Sequence, residues 1–235
     1  MKAILYFILI PALLPVFLIL RYVYLLDKNE REPLGFVIKV VVWGAIFSIP
    51  CAGVERFMIS LIGSFYDPAT INFAWMENTV GVALVEELSK WLVLMLIVWK
   101  NQNFDYRYDG IVYAVSASLG FAALENILYV LSYGTGVSIG RAIFAIPGHA
   151  TFGVFMGYFL SRAKTFWIDD KRIRMTICKL LALALPMLIH GCYDFLLSDP
   201  VAELGYQYIF YIYVILLDLF AWKVIKHEFR TDRRL

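Results

Sequence analysis

Residues 81–96 read GVALVEELSKWLVLML, an apolar run interrupted by Glu86, Glu87 and Lys90. Further ionisable residues sit in equally apolar surroundings. They are Glu125 in GFAALENILY, His149 in IPGHATFGVF, and His190 with Asp194 in PMLIHGCYDF. These are residue types that hydrolyse bonds. A carboxylate can take a proton from water as general base. Histidine and a polar partner can stabilise an oxyanion. Two glutamates close together in a low dielectric do not ionise alike, so one can be the base and the other a neutral donor. On a helix, Glu86 and Lys90 are four residues apart and can face each other, as can His190 and Asp194, so the aspartate can orient the imidazole. No serine or cysteine has an evident partner base, and no HExxH zinc signature is present.

The elements that would position these residues are membrane helices. The chain has 235 residues, 61% of them hydrophobic and only 17% charged, with mean hydropathy +0.72. A soluble domain would be about 25% charged. Apolar stretches near 20 residues recur, without the alternation of a membrane barrel. The expected fold is therefore all-α, a polytopic membrane helix bundle forming one domain over 1–235. About seven spans are predicted, near 3–20, 34–54, 79–98, 110–131, 142–160, 180–197 and 205–224. The N-terminal stretch lacks a clear small-residue cleavage site and reads as a retained first helix, with a signal sequence as the alternative. No basic stripe points to nucleic acid. Cys51, Cys178 and Cys192 are scattered singly and read as small buried hydrophobes.

Lys and Arg counts set an expected orientation. With seven spans, the loops after spans one, three and five and the tail hold sixteen basic residues, and the other side holds Lys2, Arg56 and Arg141. The N-terminus is then expected outside and the C-terminus in the cytoplasm. In that frame Glu86, Glu87, Glu125, His149 and His190 all fall roughly 10–13 Å below the outer boundary, with Asp194 one turn further out. An accidental layer would be expensive. Three central charges in span three cost roughly 8–10 kcal/mol on insertion scales, while its apolar residues return about 3–7 kcal/mol. The span needs partners, a water-filled cavity or protonated glutamates. Taken singly, Glu87 could be a structural partner of Lys90, Asp194 an interfacial anchor, and His149 a satisfied core histidine. Lys39 and Asp218 read as structural charges that pair or snorkel. Gly153 and Gly157 form a GxxxG expected at a close helix contact.

Together these residues resemble the PrsW family of intramembrane proteases, distant relatives of the CAAX prenyl endopeptidases. EELSK at 86–90 fits EExxK, FAALEN at 121–126 fits FxxxEN, His149 fits a lone third-motif histidine, and HGCYD at 190–194 fits HxxxD. The resemblance covers roughly residues 75–197. It implies a multi-pass protein of the bacterial cell membrane that makes the site-1 cut in a single-span, membrane-anchored anti-sigma factor, in an envelope stress response. By similarity, Glu86 and Glu125 would hold and activate water, with His190 and Asp194 on the oxyanion side. Glu87 and His149 would be further catalytic participants, and Lys90, Phe121 and Asn126 would support them. The CAAX relatives carry histidine where this chain has Glu125. A glutamate mechanism and a metal mechanism both fit. Zinc is the possible cofactor, with His149, His190, Glu125 and Asp194 as candidate ligands.

Two other classes fit parts of the pattern. A proton- or ion-coupled transporter could use the same carboxylates as a relay, although no inverted repeat or paired broken helices are evident. A non-catalytic scaffold would tolerate Glu86→Gln.

Overall fold

A computed structural model describes residues 2–235; the side chains of 1–9, 11, 12, 135 and 207 lie outside the described residues, Lys2 among them. Every predicted apolar stretch lies in or largely within a helix, and no β-strand occurs among the described residues. The main helices are α1 (Lys2–Leu26), α2 (Leu34–Gly63), α5 (Asp109–Tyr133), α7 (Ile146–Ile168), α8 (Arg172–Leu197) and α10 (Gln207–Arg230). The glutamate-bearing segment is α3 (Ile71–Met76), a π-helical stretch Glu77–Ala83, then α4 (Leu84–Val93). Short helices α6 (Ser138–Gly140) and α9 (Asp199–Ala202) complete the set. Five described helical segments are long and apolar enough to cross a membrane: Leu34–Gly63, Asp109–Tyr133, Ser138–Ile168, Arg172–Leu197 and Tyr208–Arg230. The chain is an all-helical, multi-pass membrane protein.

The helices form a centre and a rim. The most apolar windows of Asp109–Tyr133 and of Ser138–Ile168, which contains α7, are 72% and 67% buried, against 28%, 28% and 22% for Leu34–Gly63, Arg172–Leu197 and Tyr208–Arg230. Rim helices turn large apolar side chains such as Phe57, Ile173 and Leu216 outward, as a lipid-facing surface requires. The centre is possible because its residues are small. With no hydrophobic drive between helices in lipid, close backbone packing is what holds them. A Cβ on Gly44 would strike the backbone of Ala117, one on Gly120 the backbone of Val41, and one on Gly157 the backbone of Gly110. Gly153 likewise faces the Ala114 and Val115 backbone, so the GxxxG is a helix contact as expected.

This packing gives a contrast that can be measured. Gly120→Ala should destabilise the bundle by about 1–3 kcal/mol through forced separation of α2 from α5. Gly53→Ala, with nothing within 4 Å of its Cβ, should be neutral or slightly stabilising by helix propensity. Thermal unfolding of both in detergent checks this, and equal melting would contradict it.

Lys39 and Asp218 do not pair. Lys39 is exposed, and Asp218 accepts a hydrogen bond from Thr151 at 2.7 Å. On the side carrying the basic loops, the C-terminal tail is tied to its neighbours. Asp232 accepts from the Tyr108 amide and from Asn29, each at 2.9 Å. Arg234 pairs with Asp105 at 3.0 Å.

Candidate active site

Four helices bring the predicted residues into one buried network. Glu86, Glu87 and Lys90 come from α4, Glu125 from α5, His149 from α7, and His190 and Asp194 from α8. The Lys90 ammonium is fully buried. It donates to Glu87 Oε1 at 2.6 Å, to Glu86 Oε2 at 3.2 Å and to His149 Nδ1 at 2.9 Å. An ammonium has donors only, so His149 Nδ1 is the acceptor and Nε2 carries the ring proton toward Glu125 Oε2, 2.9 Å away. On the other flank, His190 Nδ1 meets Glu87 Oε1 at 2.9 Å and Nε2 meets Asp194 Oδ2 at 3.2 Å. Both i,i+4 pairs expected from spacing are therefore made.

Local backbone helps to aim these groups. π-helical turns occur at Glu77–Ala83, just before Glu86, and at Arg141–Ala145, just before His149. Such turns insert an extra residue and rotate the next helical turn about the axis, and they are frequent at functional sites. Gly191 lets α8 approach Thr79 of the first π-turn, bringing His190 close to α4.

A cavity of about 560 Å³ is lined by Glu86, Glu125, His149, His190, Asp194 and Arg141. A second, of about 580 Å³, opens between α2 and α5 and also reaches Glu86 and Glu125. These two carboxylates thus stand at the wall between two spaces. Glu87 and Lys90 are fully buried and line neither space; Glu87 holds Lys90 and His190 from behind. Phe121 lies under the Lys90 ammonium at 4.6 Å. Asn126 accepts from Arg141 Nε at 2.9 Å.

Arg141 enters the sequence reading only as an outer-side charge. In the structure it pairs with Glu125 at 2.8 Å and stacks over Tyr129 at 3.8 Å. The available signal is its spacing: Arg141 and His149 are eight residues apart, two helical turns, so they share a helix face. Glu55, the other addition, lines the second cavity and accepts from the Cys51 thiol at 3.2 Å. The three cysteines are free, and only Cys51 is buried.

The donor set fits a metal. One ligand atom from each of Glu86, Glu125 and His149 lies within 4.8 Å of the others, and so it is for Glu86, Glu87 and His190. Two carboxylates and an imidazole supply three protein ligands of the types zinc takes, with the fourth position left for water. The Lys90 ammonium shows that this nest of donors accepts a cation. Of the four ligands expected from sequence, Glu125 and His149 fall in the first group and His190 in the second. Asp194 is in neither and bonds His190 instead. Glu86 is common to both groups.

Sequence comparison places the chain among known proteins. The sequence model of the "PrsW family intramembrane metalloprotease" matches residues 32–219. Proteins named Protease PrsW are similar over most of the chain. The one from Oceanobacillus iheyensis is 40% identical over 81% of this chain and 83% of its own. The Bacillus subtilis protein is 36% identical over 77% and 78%, and the Clostridioides difficile protein 31% over 91% and 86%. No solved structure matches significantly.

Proposed function

The chain belongs to the PrsW family of intramembrane metalloproteases, and from that premise we propose that it makes the first cut in a single-span, membrane-anchored anti-sigma factor near the outer face. In this reading the bundle crosses the membrane seven times, N-terminus outside, as one protease domain. One observation carries the assignment of the site. Glu86, Glu125, His149 and His190 come from four different helices and line a single cavity. Buried ionisable groups in a membrane bundle are functional by default. A transporter would also explain charge, but peptidase family membership favours hydrolysis.

Each side chain has a role that its contacts support. Glu86, held by Lys90 at 3.2 Å and reaching both cavities, takes the proton of the attacking water. Glu125, fixed by Arg141 and His149, is the second carboxylate on that water. Where a metal is bound, Glu86, Glu125 and His149, through Nδ1 once it is released from Lys90, would hold it, and it would supply Lewis-acid polarisation of the carbonyl and a bound water of lowered pKa. His190, gripped by Glu87 and Asp194, offers an N–H to the carbonyl oxygen as charge develops there. Its longer bond, to Asp194 at 3.2 Å, is the one the substrate oxygen shares. Glu87 and Lys90 position the others. The cavities admit water and an unwound stretch of substrate.

Chelation tests the metal reading. Purified chain stripped with a membrane-permeant chelator should lose cleavage of a single-span substrate, and stoichiometric zinc should restore it. Cleavage indifferent to chelation would leave a glutamate mechanism instead. Substrate-dependent proton flux in proteoliposomes without a peptide product would overturn the protease site altogether.

A further inference from the structure

A second group of carboxylates lies at the opposite end of the bundle, on the side of the basic loops. Asp27 follows α1, Glu32 precedes α2, and Asp109 opens α5. Asp109 stands sixteen residues before Glu125 on the same helix, about 24 Å away at 1.5 Å per residue, so this group is separate from the candidate active site. All three residues are at least 97% buried. One oxygen from each lies within 4.8 Å of the others.

What these oxygens lack sets the group apart. Glu32 takes a hydrogen bond from the Tyr113 hydroxyl, and Asp109 Oδ2 takes the amides of Asp105 and Tyr106 at 2.9 and 2.6 Å. No hydrogen bond of good geometry reaches either Asp27 oxygen or Asp109 Oδ1; the Glu32 amide lies near Asp27, and the Glu32 and Asp109 carboxyls lie against each other. Three of the seven unpaired buried side-chain atoms among the described residues therefore sit in this one cluster. Buried polar atoms are nearly always satisfied, so unpaired ones call for a partner the protein chain does not supply. Among the described residues no Lys or Arg is within ion-pair distance of the three carboxylates, and Lys28 is turned over the Phe229 ring at 4.9 Å. A void of about 10 Å³ lies on the Asp27 side of the cluster, lined by Asp27, Lys28, Tyr108 and Asp232 but not by Glu32 or Asp109. That is room for one water-sized occupant.

We propose that Asp27, Glu32 and Asp109 bind a hard divalent cation, Mg²⁺ or Ca²⁺, that ties the ends of α1, α2 and α5 together. All-oxygen carboxylate donors select such ions over softer metals. Asp232, in the wall of the void and bonded to Tyr108 and Asn29, extends the clamp to the C-terminal tail. Without a cation the group must hold protons: burial pushes the Asp27 carboxyl up to about 6, with the Asp232 charge adding and the Glu32 amide opposing. Burial likewise pushes Glu32 up to about 7, against the Tyr113 hydroxyl bond.

The test is thermal unfolding of the full-length, metal-stripped chain in detergent at pH 8, titrated with MgCl2 or CaCl2 at constant ionic strength. Wild type should show a saturable rise in Tm of about 5 °C or more at a hundredfold excess over Kd. Asp27→Asn should lose that rise while melting no lower than metal-free wild type, because it removes an unpaired buried charge. Both chains keep the membrane-layer donors, so any response from there is common to both. Equilibrium dialysis with Mn²⁺ should show one bound equivalent fewer in Asp27→Asn, and in Glu32→Gln should the first variant fail to fold. No cation response in wild type, or the same response in the variants, would overturn the proposal in favour of carboxyls that share protons only.

Discussion

Glu86→Gln is expected to reduce cleavage of a single-span substrate by about 10²–10⁴-fold, the range for loss of a general base. The substitution keeps shape and can still accept from Lys90, now 3.2 Å from Glu86 Oε2. It removes the carboxylate that reaches both cavities. The protein should accumulate in the membrane as wild type does, because one negative charge fewer is easier to bury. Initial rates with purified enzyme, set beside membrane yield, read the two effects apart. A variant that cleaves normally would remove Glu86 from the chemistry and revive the scaffold reading.

Lys90→Met should have the largest effect on stability. Its ammonium is fully buried and is shared by Glu87 at 2.6 Å, Glu86 at 3.2 Å and His149 at 2.9 Å. Removing one partner of a buried ion pair leaves uncompensated charge and costs about 3–5 kcal/mol. The folded yield should fall sharply. Adding Glu87→Gln should restore much of it, because the closest carboxylate is then neutral. Activity should not return with the fold, since Glu87 also holds His190 at 2.9 Å. Unchanged melting in Lys90→Met would mean that the network carries little of the bundle's stability.

The site is largely legible in the sequence because membranes make charge conspicuous. Glu86, Glu125, His149 and His190 stand out by depth, and one layer on four helices implies convergence. The i,i+4 spacings give the contacts of Lys90 with Glu86 and of Asp194 with His190 directly, since a helix fixes them. Tertiary contacts are not legible. Nothing in the spacing tells that Lys90 turns to His149, that Glu87 faces away from the cavity, or that Asp218 bonds Thr151 rather than Lys39. Arg141 escapes notice because its position near a loop makes it look like a topological charge. Asp27, Glu32 and Asp109 sit in polar connectors, where carboxylates are ordinary, and only their burial makes them unusual. The helical class follows from composition, whereas the central place of α5 and α7 depends on which small residues meet, as Gly120 meets Val41.

The central claim is a peptide bond cut at a defined depth by the layer around Glu86. The most direct measurement is the mass of the products when purified chain in liposomes acts on a single-span substrate. One principal cut is expected in the outer third of the substrate span, roughly 10–13 Å below the outer boundary, the depth expected for Glu86, Glu125, His149 and His190 from the sequence. Products cut at the cytoplasmic end, or no product from a folded, metal-loaded chain, would contradict it.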